Sequence, residues 1–190
     1  MVKEELRIEY LERMRSLTTG QVEDSSQSLA SLFFREFPLY EECVSIFLSI
    51  TRNNEINTFY FINQLQREFP GVQLAVPVSD FSSGTMTHRR YHLHTTLKIN
   101  KLGIPEPIDG EVVEASCFDL VLVPLLCFDK NGSRVGYGKG FYDRFLSTCR
   151  PQTQKIGLSL FPPVELIEDT NAHDIRLDAV ITPGEIFRFN

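Results

Sequence analysis

Long apolar runs and closely spaced cysteines are both missing from this sequence of 190 residues. No stretch approaches the ~20 apolar residues that span a bilayer, and the charged first residues are unlike a signal peptide. We therefore expect a cytoplasmic protein with no membrane partner. The cysteines form no C-x-x-C pair, unlike those of a zinc knuckle or a disulfide framework. We expect reduced thiols that serve as small core residues, namely Cys43, Cys117, Cys127 and Cys149.

Positive charge is also in short supply, with 19 Lys and Arg against 25 Asp and Glu and a net charge of −6. Nucleic-acid binding depends on a basic surface that displaces counterions from phosphates, so no nucleic-acid partner is expected. Any anionic ligand has to be held by a local cluster of cations. The length and the 42% hydrophobic content are typical of one globular domain, residues 1–190, that needs neither disulfides nor metals for stability. We expect a monomer.

Helix and strand patterns alternate along the chain. Apolar residues recur at helical spacing in four segments, which are 3–17, 21–37, 58–69 and 140–149. Apolar runs predict strands at 44–49, 72–76, 91–97, 120–123, 155–160 and 179–182, and a polar segment, 51–57, follows the first of them. This alternation predicts an α/β fold in which helices cover a parallel or mixed sheet. Ligands of such sheets bind beyond the carboxyl ends of the strands.

A glycine-rich segment follows the predicted strand at 120–123. Asn131-Gly132 predicts a hairpin turn, and three glycines then alternate, at Gly136, Gly138 and Gly140. Alternating glycines weaken any regular element, and a close approach of the backbone to a ligand would compensate. A tight turn with glycines at positive φ is the alternative interpretation, and the spacing is neither that of a Walker A loop nor that of a dinucleotide fingerprint.

Charged residues flank these glycines. Arg134 and Lys139, together with backbone N–H groups at a helix start, could form an anion cradle suited to phosphates. Asp143 lies off the apolar stripe of the following helix and could hold the Mg²⁺ of a nucleoside triphosphate. Two solvated cations on a turn are the simpler interpretation, and the sequence leaves both open.

The first helix carries two cations in an unusual place. Lys3 and Arg7 lie one turn apart and project into the arc of its apolar residues. They also lie near the helix N-terminus, where positive charge opposes the macrodipole. A bound polyphosphate would account for both features, whereas the alternative is that the long side chains reach solvent around the edge of the apolar stripe.

Glu55 falls between a predicted strand and a helix that Asn57 or Thr58 could cap. A carboxylate in that place lies beyond the end of the strand. It could accept hydrogen bonds from the N–H groups of a pterin-like heterocycle. An exposed loop glutamate is the alternative.

Carboxylates also cluster near the C-terminus. Asp174 could share a divalent metal with Asp143, whereas Asp178 could pair with Arg176 or cap a strand. Spacing in the sequence does not choose between the two aspartates.

Three histidines, His88, His92 and His94, would share one face of the predicted strand at 91–97 and its approach. No carboxylate or cysteine nearby completes a metal site. A wet, basic strand that includes Arg89 and Arg90 is the better interpretation.

Taken together, these motifs resemble the 5-formyltetrahydrofolate cyclo-ligase family, also called methenyltetrahydrofolate synthetases. The resemblance runs nearly from end to end, and the glycine segment is its most specific part. It is carried by Lys3-x-x-Leu6-Arg7, residues 45–49 followed by Glu55-x-x-Thr58, Pro105-x-Pro107, Phe128-Asp129 and Gly132, Arg134-x-Gly136-x-Gly138-Lys139-Gly140-Phe141-Tyr142-Asp143, and His173-Asp174 ahead of Asp178.

The resemblance implies a three-layer α/β/α sandwich and an ATP- and Mg²⁺-dependent ligase that closes 5-formyltetrahydrofolate to 5,10-methenyltetrahydrofolate. It implies that ATP is bound by Lys3, Arg7, Arg134, Gly136, Gly138, Lys139, Gly140, Phe141 and Tyr142. It implies that the folate is bound by Leu48, Glu55, Tyr137, Gly138, Lys139, Gly140 and Phe141. Arg134, Lys139 and Tyr142 would act in catalysis, and Asp143 and Asp174 would hold the metal. The alternative hypothesis is a non-catalytic folate- or nucleotide-binding module on the same fold.

Overall fold

The computed structural model describes residues 1–50, 53–100 and 103–189. Within these ranges the helices are α1 (Lys3–Ser16), α2 (Thr19–Glu36), α3 (Phe59–Glu68) and α4 (Phe141–Leu146). The strands are β1 (Cys43–Ser45), β2 (Gln73–Asp80), β3 (Thr85–Arg90), β4 (Leu97–Ile99), β5 (Pro105–Pro107), β6 (Val112–Val113), β7 (Leu120–Pro124), β8 (Cys127–Phe128), β9 (Arg134–Val135), β10 (Gln154–Leu158), β11 (Ala179–Ile181) and β12 (Ile186–Arg188). Within the same ranges, no helix is long and apolar enough to cross a membrane.

Eight of these strands form one mixed sheet in the order β12-β11-β10-β7-β1-β2-β3-β6. The five inner strands, from β11 to β2, are parallel to their neighbours in that group, while β12, β3 and β6 pair antiparallel at the two edges. The chain leaves β1 through α3 to β2 on one side and later returns as β7 on the other. Strand order therefore reverses at β1 and β7, which is where sheets of this kind open a crevice for ligands.

Apolar side chains alternate between the two faces of the sheet. Leu120 and Leu122 of β7 pack under α2 and α3, whereas Val121 and Val123 of the same strand pack on the opposite face with α4. A third apolar cluster joins α1 to the β8–β9 hairpin. Helices therefore cover both faces, as the three-layer arrangement requires.

The helix predictions are confirmed at most of their ends. In α2, Thr18 and Gln21 form a capping box in which each side chain accepts a hydrogen bond from the other residue's backbone N–H, over 3.2 and 2.9 Å. For α3 it is Asn57 that caps, because its Oδ1 accepts from the backbone N–H of Phe59, while the Thr58 hydroxyl donates to the carbonyl of Phe47. The fourth helix ends at Leu146, three residues before the predicted end.

The predicted strand at 91–97 is wrong. The strand is β3, which ends at Arg90, and a turn closed by Thr95 N–H and the His92 carbonyl follows it. Hydrophobic patterning missed β3 because this strand lies near the sheet edge and carries mainly polar residues. The first predicted strand, 44–49, is also shorter than expected, since its ladder ends at Ser45 although the residues up to Ser49 stay buried.

The histidines do not share a face. His88 is buried in the core, where its Nε2 lies 2.8 Å from Ser45 Oγ and its ring packs against Phe145 at 4.2 Å. Burial lowers the pKa of His88 to about 3, so it is a neutral core residue and not part of a wet strand. His92 and His94 lie in the exposed turn after β3.

The cysteine prediction fails at one position. All four thiols are free, and Cys43 and Cys127 are buried as expected, but Cys117 is exposed and Cys149 is partly so. Cys117 lies in a short 3-10 helix ahead of β7, and this helix contains no buried residue. Within the predicted polar segment 51–57, residues 51 and 52 lie outside the described residues.

Candidate active site

A cavity of about 490 Å³ opens beyond the carboxyl ends of β1 and β7. Pro124 ends β7 there, and Phe47 and Leu48 follow β1. The volume lies within the roughly 300–1,000 Å³ that is common for small-molecule sites. Its position is the crevice that the reversal of strand order predicts.

The backbone of one wall is the glycine loop, residues 136–140, held between the β8–β9 hairpin and α4. Asp129 fixes the hairpin, because its buried Oδ1 accepts from the backbone N–H groups of Asn131 and Ser133, both at 2.9 Å. The expected Asn131-Gly132 turn is thereby confirmed. The loop then runs along the cavity and ends where α4 begins.

Two of the loop glycines have a steric reason to be glycine. Gly138 has φ +86°, and a Cβ there would lie 3.2 Å from the guanidinium carbon of Arg7. Gly140 has φ +67° and would bring a Cβ within 2.9 Å of Arg144 Nη1. Positive φ therefore explains Gly138 and Gly140, whereas at Gly136 neither φ nor crowding requires a glycine, although it too lines the cavity.

The cationic end of the cavity consists of Lys3, Arg7, Arg134 and Lys139, with the carboxylates Asp143 and Asp174 among them. Lys3 Nζ lies 2.5 Å from Asp174 Oδ2, and Arg134 Nη2 lies 2.7 Å from Asp143 Oδ1.

Arg7 and Lys139 are not paired with carboxylates in the part of the chain that the structure describes. Arg7 Nε donates to the carbonyl of Gly136 over 3.0 Å. Lys139 is exposed, and no described residue accepts a hydrogen bond from its Nζ. These two cations therefore give the cationic end a net positive charge, which suits a polyanion.

Arg134 is the most deeply placed of the four cations, with only 6% of its side chain exposed. It also donates to the carbonyl of Ile175, so the segment around Asp174 is tied to β9. Burial lowers the pKa of Arg134, while the charges of Asp143 and Asp174 act in the opposite direction.

Asp143 and Asp174 each leave one oxygen available. Asp143 accepts from Arg134 and from the backbone N–H of Ile175, both through Oδ1. Asp174 accepts from Lys3 and from the backbone N–H of Asn171, both through Oδ2. Among the described residues no donor contacts Asp143 Oδ2 or Asp174 Oδ1. Two carboxylates with free oxygens beside this cationic cluster fit Mg²⁺, which takes one or two protein carboxylates together with phosphate oxygens.

In residues 1–50, 53–100 and 103–189, no cluster of three or more His, Cys, Asp or Glu could hold a metal unaided. Asp178 does not belong to the cavity. It pairs with Lys155 at 2.9 Å and accepts from the backbone N–H of the same residue. The pairing with Arg176 that the sequence allowed is therefore wrong, and Asp174 is the aspartate that shares the cavity with Asp143.

The carboxylate end of the cavity is built around Glu55, with Leu48 and Tyr137 beside it. Only 9% of Glu55 is exposed, so the alternative of an exposed loop glutamate is wrong. Its Oε2 accepts from the backbone N–H of Ile50 over 2.8 Å, and its Oε1 accepts from the Tyr137 hydroxyl. Burial raises the pKa of Glu55, and these two hydrogen bonds only partly oppose it.

Tyr142 lies between the two ends. Its hydroxyl is buried and has no hydrogen-bond partner among the described residues. Burial raises the pKa of Tyr142; the charge of Glu55 adds to this effect and that of Arg134 opposes it. A buried hydroxyl without a partner is costly, which makes Tyr142 a candidate donor to a ligand.

A wall that the sequence did not predict comes from the β2–β3 hairpin. Phe81 at its tip packs edge-to-face on Phe141, with ring centroids 5.1 Å apart. Arg144 donates to the carbonyls of Gly84 and Lys139, each at 2.8 Å, and so ties the hairpin to the glycine loop. The missed lining residues are Phe47, Ile50, Asn53, Pro77, Ser79, Phe81, Met86, Ile104, Pro105, Pro124 and Val135. The available signals were the turn Asp80–Gly84, whose Ser-Ser-Gly sequence favours a hairpin, and the motifs of the family resemblance, which include Phe47 and Pro105.

All fourteen residues that the sequence singled out for binding, catalysis or metal line this one cavity. They are Lys3, Arg7, Leu48, Glu55, Arg134, Gly136, Tyr137, Gly138, Lys139, Gly140, Phe141, Tyr142, Asp143 and Asp174.

Comparison with known proteins gives a consistent result. The model of the 5-formyltetrahydrofolate cyclo-ligase family matches residues 1–183. The 5-formyltetrahydrofolate cyclo-ligase of Escherichia coli (strain K12) is 34% identical over 184 residues, which cover 94% of this chain and 98% of that protein. The protein of the same name from Mus musculus is 27% identical over 195 residues, with 94% and 92% covered.

Two solved structures share the fold. A 5,10-methenyltetrahydrofolate synthetase from Aquifex aeolicus superposes with a TM-score of 0.76 at 24% identity, covering 99% of this chain and 93% of that one. One from Mycoplasma pneumoniae gives a TM-score of 0.75 at 22% identity, covering 96% and 99%. The expected α/β fold with a mixed sheet is thereby confirmed.

Proposed function

The chain belongs to the 5-formyltetrahydrofolate cyclo-ligase family, and we propose that it converts 5-formyltetrahydrofolate and ATP to 5,10-methenyltetrahydrofolate, ADP and phosphate in a Mg²⁺-dependent reaction. The observation that carries this proposal is a single cavity with a cationic end and a buried carboxylate end, joined by a glycine loop. Such a cavity can hold a polyphosphate and an N–H-rich heterocycle together.

The chemistry explains why both ends are needed. A formamide carbonyl is a poor electrophile, and its oxygen is a poor leaving group. Transfer of the terminal phosphoryl group of ATP to the formyl oxygen, with ADP leaving, makes that carbon electrophilic. Nitrogen 10 then attacks the carbon, the carbon–oxygen bond breaks, and phosphate leaves with the proton that nitrogen 10 gives up. Positioning of the two substrates and neutralisation of phosphate charge supply most of the catalysis in reactions of this kind.

At the cationic end, Lys3, Arg7 and Arg134 would hold the phosphates, and the backbone of the glycine loop would follow them. Lys139 is exposed and has no competing partner among the described residues, so it would stabilise the transferring phosphoryl group. The Tyr142 hydroxyl would donate to an oxygen of the reacting groups, because it is buried, lacks a partner in the described chain and lies between the two ends.

Asp143 and Asp174 would hold Mg²⁺ through the oxygens that described donors leave free. When bound, the ion would neutralise charge on the phosphate oxygens. The phosphates would then take Lys3 and Arg134 from these carboxylates, so each ion pair would exchange its partner for a ligand.

At the carboxylate end, Glu55 would accept hydrogen bonds from the pterin ring. Leu48, Phe81 and Phe141 provide apolar surface for the ring faces. A buried carboxylate that no described cation pairs with favours a neutral ligand that donates hydrogen bonds, which describes a pterin and not a second phosphate.

The test is a spectrophotometric assay for 5,10-methenyltetrahydrofolate with purified protein, 5-formyltetrahydrofolate and Mg²⁺, with and without ATP. We expect product only with ATP, and one phosphate released for each product formed. Formation of product without ATP would overturn the proposed mechanism. Binding of both substrates without turnover would identify a non-catalytic binding module instead.

A further inference from the structure

The two ends of the cavity are joined by one side chain, Tyr137. It lies in the glycine loop between Gly136 and Gly138, and its hydroxyl donates to Oε1 of Glu55, which is 82 residues away in the sequence. The glycines of the loop belong to the proposed nucleotide site, whereas Glu55 and the side chain of Tyr137 belong to the proposed folate site. This hydrogen bond is therefore a direct physical link between two binding sites.

Glu55 depends strongly on this link. Among the described residues its carboxylate has two hydrogen-bond donors, the backbone N–H of Ile50 and the hydroxyl of Tyr137. No lysine or arginine forms an ion pair with it in that part of the chain. A buried carboxylate pays a large desolvation cost unless donors replace water, so loss of the Tyr137 hydroxyl requires another donor at Oε1.

A folate that reaches Glu55 brings such a donor to the same oxygen. Tyr137 is 37% exposed and lines the cavity beside Glu55, and its hydroxyl already occupies Oε1. The N–H groups of the ligand therefore compete with the tyrosine hydroxyl.

The glycine loop can respond when Tyr137 is released. A Cβ at Gly136 would meet nothing within 4 Å, so the backbone has room there, and Gly138 already occupies a region of φ that favours glycine. On the other side, Arg7 is bonded to the loop through the carbonyl of Gly136. Movement of Tyr137 would therefore reach a cation of the proposed nucleotide site.

We propose that Tyr137 is a positioning residue that couples the two substrates: folate takes Glu55 from Tyr137, and the released glycine loop closes on the nucleotide. The proposal rests on the function proposed above. Because coupling between two sites is reciprocal, each substrate tightens the binding of the other by the same factor. The hydroxyl is the group that transmits the effect, so Tyr137→Phe uncouples the sites.

The experiment measures the dissociation constant of a non-hydrolysable ATP analogue, AMP-PNP with Mg²⁺, by calorimetry with and without saturating 5-methyltetrahydrofolate, which has no formyl oxygen. For the wild-type protein we expect the folate to tighten AMP-PNP binding about fivefold or more, the lower end of typical coupling. For Tyr137→Phe we expect the ratio of the AMP-PNP dissociation constants without and with folate to lie within about twofold of one.

Tyr60→Phe is the matched control, because the Tyr60 hydroxyl also donates to a glutamate, Glu23, at 2.7 Å, but away from the cavity. It should keep the wild-type ratio. Tyr137→Leu also lacks the hydroxyl and should repeat the result of Tyr137→Phe, which guards against an effect of one substitution on folding.

The possible outcomes distinguish a failure of the proposed coupling from a failure of the proposed function. A wild-type ratio of one, or an unchanged ratio in Tyr137→Phe, overturns the coupling even if the wild-type protein forms 5,10-methenyltetrahydrofolate. Loss of coupling in Tyr60→Phe also overturns it, since the effect would then not be specific to the link. Failure of the wild-type protein to bind folate or to turn over removes the proposed function itself.

Discussion

The two ends of the cavity hold their carboxylates in opposite ways. At the cationic end, Asp174 is paired with Lys3, and although burial raises the pKa of Asp174, its hydrogen bonds and the nearby cations lower it overall. At the carboxylate end, Glu55 has only neutral donors among the described residues, and burial raises its pKa. The difference teaches that the cationic end is built to exchange ion pairs for the charged ligand proposed there, while the carboxylate end is built to exchange neutral hydrogen bonds for the proposed neutral ring.

The largest effect is expected from a substitution at the cationic end. Lys139→Ala should lower kcat by about 10²–10³-fold, the usual loss when one group that stabilises transition-state charge is removed. The dissociation constant of folate should change far less than kcat, because Lys139, although the resemblance also assigns it to the folate, does not contact Glu55. Steady-state kinetics and folate titration measure both quantities.

Lys130→Ala is the control for that loss. Lys130 is exposed and pairs with Glu165, outside the cavity, so this variant should keep wild-type kcat. Equal activity of Lys139→Ala and wild type would show that Lys139 has no role at the phosphoryl group.

Glu55→Gln breaks the carboxylate end. Hydrogen bonds to a charged group are worth about 1.5–3 kcal/mol, so we expect the dissociation constant of folate to rise by roughly 10- to 150-fold. Nucleotide binding measured without folate should change far less. Calorimetry with each substrate alone tests the contrast, with Glu165→Gln as an exposed control, and an equal weakening of both substrates would remove the distinction between the ends.

The stability of the two ends should respond oppositely to pH. Because the pKa of Glu55 is raised in the folded state, Glu55 contributes to the free energy of unfolding below its ordinary pKa of 4.5. This contribution is lost as pH rises through the folded-state pKa. In urea unfolding, the free energy of unfolding of Glu55→Gln should therefore rise relative to that of the wild-type protein as pH rises. A constant difference between these two proteins across that range would contradict the pKa shift.

Asp174→Asn tests the pH dependence of stability at the cationic end. Because the pKa of Asp174 is lowered in the folded state, Asp174 contributes to the free energy of unfolding above its ordinary pKa of 3.8. This contribution is lost as pH falls through the folded-state pKa. The advantage of the wild-type protein over Asp174→Asn should thus shrink on acidification. An advantage that persists at the lowest pH would indicate that Asp174 is not held by charge.

The smallest effect concerns salt. The Debye length shortens from about 30 Å at 0.01 M to about 3 Å at 1 M ionic strength, so ATP should bind severalfold more weakly as salt rises. The pterin, held by Glu55 and apolar contacts, should respond less. Salt-insensitive ATP binding, followed by calorimetry, would count against a local cation cluster.

The sequence predicted the cationic end better than the walls. Lys3 and Arg7 were recognisable because helical geometry places both on the apolar face of one helix, and the glycine loop because alternating glycines fit no regular element. Each of these signals lies within a short segment. Local physics therefore singled them out, although it left their simpler interpretations open and only the family resemblance assigned them to a site.

Long-range pairings were out of reach. Tyr137 and Glu55 meet only because β1 and the glycine loop converge on the same crevice, and the pairing of Asp178 with Lys155 depends on the register of β10 and β11. The hairpin that carries Phe81 was missed because β3 has few apolar residues and takes its stability from pairing with β2. For the same reason His88 was expected on a solvent-exposed strand, although it is buried.

In the proposed reaction, transfer of phosphate to the formyl oxygen is the step at which the two ends would act together, and isotope transfer tests it most directly. The wild-type protein is given ATP, Mg²⁺ and 5-formyltetrahydrofolate whose formyl oxygen is a heavy isotope, and the released phosphate is analysed by mass spectrometry. We predict one heavy oxygen in each phosphate. Unlabelled phosphate alongside formation of 5,10-methenyltetrahydrofolate would contradict the joint action of the two ends on that bond.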